Sequence, residues 1–205
     1  MSFSLNEIET TARKAARGAG FSWGLAEEAG KATRWLCAQG LDGCATLAAL
    51  LEGPRHATPQ IAPGIWSAPG PLCPLTTGAA LSDFAALLAG GPIRLNAVAQ
   101  PLLLLPFGAG AARQLNSVVT LNCETLTART DGDGLDMARI PGPPGTCDMQ
   151  VSLDGEMQNA QPKHSRASPD PAIWALLTGF AGRTYAPASD ASRRRGAGAG
   201  LTDND

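Results

Sequence analysis

Trp23-Gly-Leu-Ala-Glu-Glu-Ala-Gly-Lys-Ala-Thr-Arg-Trp-Leu-Cys-Ala-Gln39 is the stretch whose reading decides the fold. Turned at about 100° per residue, it places Leu25, Ala29, Ala32 and Leu36 on one stripe and Glu27, Lys31 and Arg34 roughly opposite. That pattern predicts an amphipathic helix. Glu27 and Lys31 stand four residues apart with the carboxylate first, an order that stabilises a helix by ~0.2–0.5 kcal/mol. Ala26, Gly30 and Cys37 form a strip of small residues. Gly30 costs roughly 1 kcal/mol of helix propensity relative to Ala, and something should offset that cost. A tightly packed neighbouring helix is the structural explanation; a ligand lying along the strip is the functional one.

Glu28 falls at the margin of the apolar stripe, one turn before Ala32. Partial burial disfavours the charged form of a carboxylate unless a base comes to meet it. Glu28 is therefore expected to be either paired or reactive.

Upstream, Ser4 and Glu7 have the capping-box spacing that opens a helix. Leu5, Ile8, Ala12, Ala15, Ala16 and Ala19 share its inner face, and Gly18 and Gly20 end it. With a short Gly20–Ser22 connection, this helix and the Trp23–Gln39 helix are expected to form an antiparallel pair. Ala45–Leu51 reads as a third helix stopped by Gly53-Pro54. Pro54, Pro59, Pro63, Pro69, Pro71 and Pro74 then argue against regular structure. Ile61, Ile65, Trp66, Leu72 and Leu75 in that segment predict an ordered loop draped over the core. Ser82-Asp83 caps a short helix through Leu88.

Downstream, Ile93–Ala99 and Leu102–Leu105 read as strands, the second bounded by Pro101 and Pro106. Val119–Arg129 returns through Asp131-Gly-Asp-Gly134 to Leu135–Ile140 as a hairpin, and Cys147–Leu153 alternates as a further strand. Asp170-Pro171 has the form of an N-cap followed by Pro at the first helical position, opening a helix through Phe180 that is expected to cover the sheet. The expected class is α+β: an N-terminal antiparallel helix pair and a C-terminal helix on a largely antiparallel sheet. One domain over 1–205 is expected, helical in 1–53, an ordered proline-rich loop over 54–78, sheet over 93–154, and a helix with a tail over 170–205.

A formal net charge of −2 over 205 residues provides no overall basic footprint for nucleic acid. No apolar run approaches the ~20 residues that span a bilayer, and the N-terminus lacks the basic and apolar regions of an export signal. Five cysteines, with no Cys-x-x-Cys among them, read as reduced thiols. A cytoplasmic protein without membrane or nucleic-acid partners is expected. The two histidines are too isolated for a histidine-rich metal centre, and Asp131 and Asp133 lack the remaining ligands of a calcium loop. No metal site is expected, and no motif names a cofactor.

The C-terminal Gly196–Gly200 run precedes Asp203-Asn204-Asp205. By composition it is a frayed tail; alternatively, the glycines let the backbone pass closely over another element and deliver Asp203 and Asp205 to a site. No Gly-x-Ser-x-Gly elbow or phosphate loop is present. The candidate site therefore combines Glu28, Asp203 and Asp205 as catalytic carboxylates. Trp23, Arg183 and Tyr185 are the ligand-binding groups, Arg183 matching an anion through its guanidinium fork.

Asn6-Glu-Ile-Glu9, Ala12-Arg-Lys-Ala-Ala-Arg-Gly-Ala-Gly20, Trp23-Gly-Leu-Ala-Glu-Glu-Ala-Gly30 and Arg183-Thr-Tyr-Ala-Pro-Ala188 with Gly196–Asp205 together resemble a bacterial family of unknown function, domain of unknown function 3726. The resemblance covers the whole chain and is strongest at the two ends. It implies a bacterial, soluble, single-domain protein and brings no activity, cofactor or catalytic residue. Two functional expectations stand: a small-molecule metabolic enzyme or ligand-binding domain, or a non-catalytic subunit whose Ala/Gly helix faces or tail dock on a protein partner or a second copy.

Overall fold

Ser4 caps the first helix, α1 (Leu5–Gly18), by the expected reciprocal pair: its N–H donates to Glu7 Oε2 at 2.7 Å while the Glu7 N–H donates to Ser4 Oγ at 3.3 Å. In this computed structural model, which describes residues 1–139 and 145–184, α1 packs along α2 (Trp23–Ala38). Gly30 permits the contact, because a Cβ built there would lie 2.9 Å from the Glu9 carbonyl oxygen and 3.1 Å from Arg13 Cβ. The neighbouring helix, not a ligand, accounts for the missing side chain. Arg34 on α2 bonds back to Glu9 at 3.0 Å, and Ile8, Ala12, Ala15, Ala26 and Ala29 are fully buried between the pair and the rest of the core.

Helix α3 (Gly43–Glu52) follows a tight corner in which Gly40 has φ +77°, a conformation that glycine adopts without steric cost. Asp42 caps α3 by accepting from the Ala45 N–H at 2.9 Å. The last helix, α6 (Pro171–Gly182), begins as predicted at Asp170-Pro171, whose carboxylate accepts from the Ala172 N–H at 2.7 Å. Its place differs from the expected one: α6 packs on α1 and α3. Helix α5 (Leu105–Leu115) lies on the sheet instead, so close that a Cβ on Gly108 would stand 2.6 Å from Leu121 Cδ1.

The class is α+β, as expected. A short pairing joins β1 (Phe3–Ser4) to β9 (Arg166–Ala167). The main sheet is built, among the described residues, from β2 (Gln60–Ala62), β3 (Ile65–Ser67), β4 (Ile93–Ala99), β5 (Val119–Cys123), β6 (Leu126–Thr130), β7 (Asp136–Arg139) and β8 (Thr146–Ser152) in the order β2-β3-β4-β8-β5-β6-β7. Only β3 and β4 run parallel. The hairpin predicted over 119–140 is two: β5 turns into β6 at Glu124-Thr125, and Asp131-Gly-Asp-Gly134 turns β6 into β7.

Two proline segments depart from expectation for one reason. Pro74 and Pro106 occupy the first turns of α4 (Pro74–Asp83) and α5, where the missing N–H would have had no helical partner. The run Leu102–Leu105, expected as a strand, is therefore a 3-10 turn (Pro101–Leu104) leading directly into α5. The segment 54–78 is likewise not all loop: it contributes β2, β3 and the start of α4. The Leu72 N–H donates to the Ala97 carbonyl at 2.9 Å, fastening the loop to β4. The helix expected from Ser82 to Leu88 begins earlier, as α4, and ends as a 3-10 turn, Ala85–Gly90. Among the described residues no helix is long and apolar enough to cross a membrane.

Candidate functional site

Glu28 is paired: Lys31 Nζ donates to its Oε1 at 2.8 Å on the outer face of α2, and this carboxylate, more than Glu27, holds the lysine ammonium and raises its pKa. Trp23 is 66% exposed, with the Arg17 guanidinium 4.8 Å above its ring centre. Arg183 lies 4.3 Å over the Phe180 ring at the end of α6. Tyr185, Asp203 and Asp205 lie outside the described residues. Among the described residues, no ion pair joins Glu28 to Arg183, and neither residue borders the two clefts that meet at the α2–α3 corner.

The first of these clefts, about 330 Å³, runs from α3 across the end of β4 to the β5–β6 turn. Its apolar wall is Leu41, Ala45, Ala49, Leu102 and Leu126, and its charged groups among the described residues are the carboxylates of Asp42 and Glu124. The local backbone is unusual. A bulge in β4 between Leu95 and Val98 puts Ala97 at φ +52°, its N–H donating to Asp148 Oδ1 at 2.7 Å. Gln100 comes next at φ +44°, ψ +61° and turns the chain from the strand into the cleft wall. Left-handed non-glycine residues cost on the order of 1 kcal/mol or more and gather where function needs the geometry. Cys147, also on this wall, has its thiol pushed up to about 12 by burial and by its bond with Cys123.

The second cleft, about 360 Å³, opens on the other side of the corner. Cys37 ends α2, Cys44 begins α3, and His164, Arg166 and Ser168 close it from the strand leading into α6. His164 is anchored by its N–H, which donates to the Ala38 carbonyl at 2.8 Å. Arg166 donates from Nε to Ser2 Oγ at 3.0 Å and from Nη2 to the Ser2 carbonyl at 2.7 Å. Cys37 and Cys44 are 4% and 1% exposed, and both border this cleft. The neighbouring Cys44 thiol, and to a lesser degree the Gly43 and Cys44 backbone, set the Cys37 thiol's pKa below its ordinary value, with burial and the Asp42 charge opposing.

Composition named neither cleft. The cysteines read simply as reduced thiols, and the two histidines as too isolated for a metal centre. One signal was present: an N-cap Asp42 and a small Gly43 immediately before Cys44 place that cysteine in a helix's first turn, facing the end of the preceding helix. The Asp131-Gly-Asp-Gly134 turn is structural. Asp131 Oδ1 accepts from the Asp133 and Gly134 N–H groups at 2.9 and 2.8 Å, and Asp133 pairs with Lys163.

No curated protein and no solved structure matches this chain. A family model does, and it spans α1 to α4, including both sides of the α2–α3 corner; the C-terminal residues that carried part of the resemblance fall outside the match. Over residues 3–89 this chain matches the family described as "Protein of unknown function (DUF3726)".

Proposed function

We propose that this chain is a soluble bacterial cytoplasmic protein that takes a small molecule, as a metabolic enzyme or ligand-binding domain, in the 330 Å³ cleft beside α3. The observation that carries the reading is the cleft's lining. It has an apolar wall with two carboxylates, Asp42 and Glu124, and no Lys, Arg or His among the described residues that border it. Small-molecule sites are largely apolar concavities of ~300–1,000 Å³ with a few convergent polar groups. Such a lining fits an apolar body with a cationic amine head. The amide and carbonyl groups of Gln100 and Thr146 would orient its hydroxyl or amide groups.

The test is a thermal-shift screen of matched amines and carboxylates against the wild type, Asp42→Asn and Glu124→Gln. Asn retains the helix cap at position 42 while removing the charge. Amines should raise the melting temperature, and the shift should fall in both variants. If carboxylates alone bind, or if both variants keep the full shift, the cleft reading is wrong. A shift lost instead in Glu28→Gln and on deletion of residues 201–205 would move the ligand to a site between the N-terminal helices and the tail, formed with Trp23, Arg183 and Tyr185.

A second reading, a non-catalytic assembly subunit, is favoured by one observation. Ile61, 42% exposed on the edge strand β2, borders a groove with Leu87, 46% exposed, and the outer side of β2 has no partner among the described residues. The occupant that fits is a second copy pairing edge to edge. Analytical ultracentrifugation of wild type and Ile61→Lys decides it: a dimer dissociated by the lysine supports the reading, and a monomeric wild type rejects it.

A further inference from the structure

We propose that Cys37 and Cys44 form a redox-active dithiol that reacts with a hydroperoxide entering the polar cleft and closes to a disulfide between the end of α2 and the start of α3. The geometry brings the two thiols together by means of Gly43. A Cβ at that position would lie 2.6 Å from the Thr33 carbonyl oxygen, 2.9 Å from Leu36 Cβ and 3.3 Å from Cys37 Sγ, so only glycine lets α3 start this close to α2. The result is two thiols, on either side of this packed corner, bordering one cavity of about 360 Å³. Arg166 and His164 stand on its opposite wall, where a cation or N–H donor can meet a leaving hydroxide. Thiolates at helix N-termini and beside cationic groups are the reactive form of cysteine.

The reaction balances without a further reductant. The Cys37 thiolate attacks the distal oxygen of the hydroperoxide, the O–O bond breaks, and the leaving oxygen takes a proton to depart as water or an alcohol. Cys37 is left as a sulfenic acid. The Cys44 sulfur, giving up its proton, then attacks the Cys37 sulfur and expels the hydroxyl as water. Two thiols and one peroxide have become one disulfide, one water and one water or alcohol. Thiol exchange with a low-molecular-weight thiol restores the pair.

The other thiol pair, Cys123 and Cys147, is an internal comparison. It sits at the sheet, and burial holds Cys147 in its protonated form up to about pH 12. Cys73 is a second control, since it is as buried as Cys37, each being 4% exposed. Different rates at Cys37 and Cys73 therefore report environment rather than access.

The experiment treats the full-length native protein with stoichiometric hydrogen peroxide and maps the product by intact and peptide mass. The wild type should lose about 2 Da, the mass of two hydrogens, with the bond between the peptides carrying Cys37 and Cys44. Iodoacetamide at neutral pH should label Cys37 at least tenfold faster than Cys73 in the reduced protein. Cys44→Ser should leave a dimedone-reactive sulfenic acid on Cys37, and Cys37→Ser should give no disulfide. A disulfide at Cys123–Cys147 instead, or Cys37 labelling no faster than Cys73, overturns the proposal; both are read on the unmutated chain and do not depend on how the variants fold.

Discussion

Gly18→Ala isolates the contact that holds the C-terminal helix to the N-terminal pair. A Cβ at position 18 would sit 1.9 Å from the Phe180 carbonyl oxygen and 2.8 Å from its carbonyl carbon. Both are backbone atoms near the end of α6, so no side-chain rotation relieves the overlap. Since optimal non-bonded separations are ~3.5–4.0 Å, α6 must retreat from α1 by more than about 1 Å at this point. Overpacking of this kind costs about 1–3 kcal/mol, against at most ~1 kcal/mol regained in helix propensity. With that gain taken in full the net loss is about 0–2 kcal/mol, up to roughly 8 °C in melting temperature for a chain of this size. Gly179→Ala is the matched control, because a Cβ there meets nothing within 4 Å and the same propensity gain should raise the melting point by about 2–4 °C. Circular dichroism melts of the three proteins are the assay. A Gly18→Ala protein that melts as high as Gly179→Ala would refute the close α1–α6 approach.

Asp170→Ala removes the cap on α6 and should cost about 1 kcal/mol, seen as a lower urea midpoint and faster hydrogen exchange in the first turn of that helix. Thr77→Val should stabilise by about 1 kcal/mol, because the Thr77 hydroxyl is buried without a hydrogen-bond partner among the described residues and a methyl replaces it at equal volume. Glu7 provides a pH signature. Its bonds with the Ser4 N–H and hydroxyl hold its folded pKa below the usual carboxylate value. A depressed folded pKa stabilises above the unfolded pKa, and that contribution is lost as pH falls through the folded value. Stability measured across the acid range should therefore decline less steeply in Glu7→Gln than in the wild type.

What could be read from residues alone was local. Ser4 with Glu7, and Asp170 with Pro171, specify helix starts within four residues of chain, and both formed where expected. The α1–α2 pair was equally legible, since Gly30 and the alanine faces demand a close helical neighbour and the short link supplies it. Pro74 and Pro106 misled because proline excludes the interior of a helix but favours its first turn, and the two cases differ only in whether the next residues can continue a helix. The position of α6 was decided by Gly18, which at sequence level read merely as a helix stop. Nothing local distinguishes a glycine that ends a helix from one that admits another helix's backbone. The clefts were hidden for a stronger reason: Asp42, Gln100, Glu124 and Thr146 come together only through a sheet in which β8 inserts between β4 and β5.

The α2–α3 corner concentrates polar chemistry because its backbone leaves little freedom. Gly40 at φ +77° turns the chain, Asp42 starts α3, and Gly43 seats that start against Thr33 and Leu36. Leu41 and Asp42 consequently form a common wall, bordering the apolar cleft on one side and the thiol cleft on the other. Side chains held between two packed helix ends keep their positions when a ligand or oxidant arrives, which a loop of the same composition would not ensure. A rigid wall shared by two cavities also transmits displacement, because a packed interior yields by moving neighbours rather than by compressing. The proposed bond between Cys37 and Cys44 would form beside Asp42, two residues from Cys44 on this shared wall. Asp42, the carboxylate proposed to meet an amine in the first cleft, therefore lies on the wall that the proposed thiol pair shares.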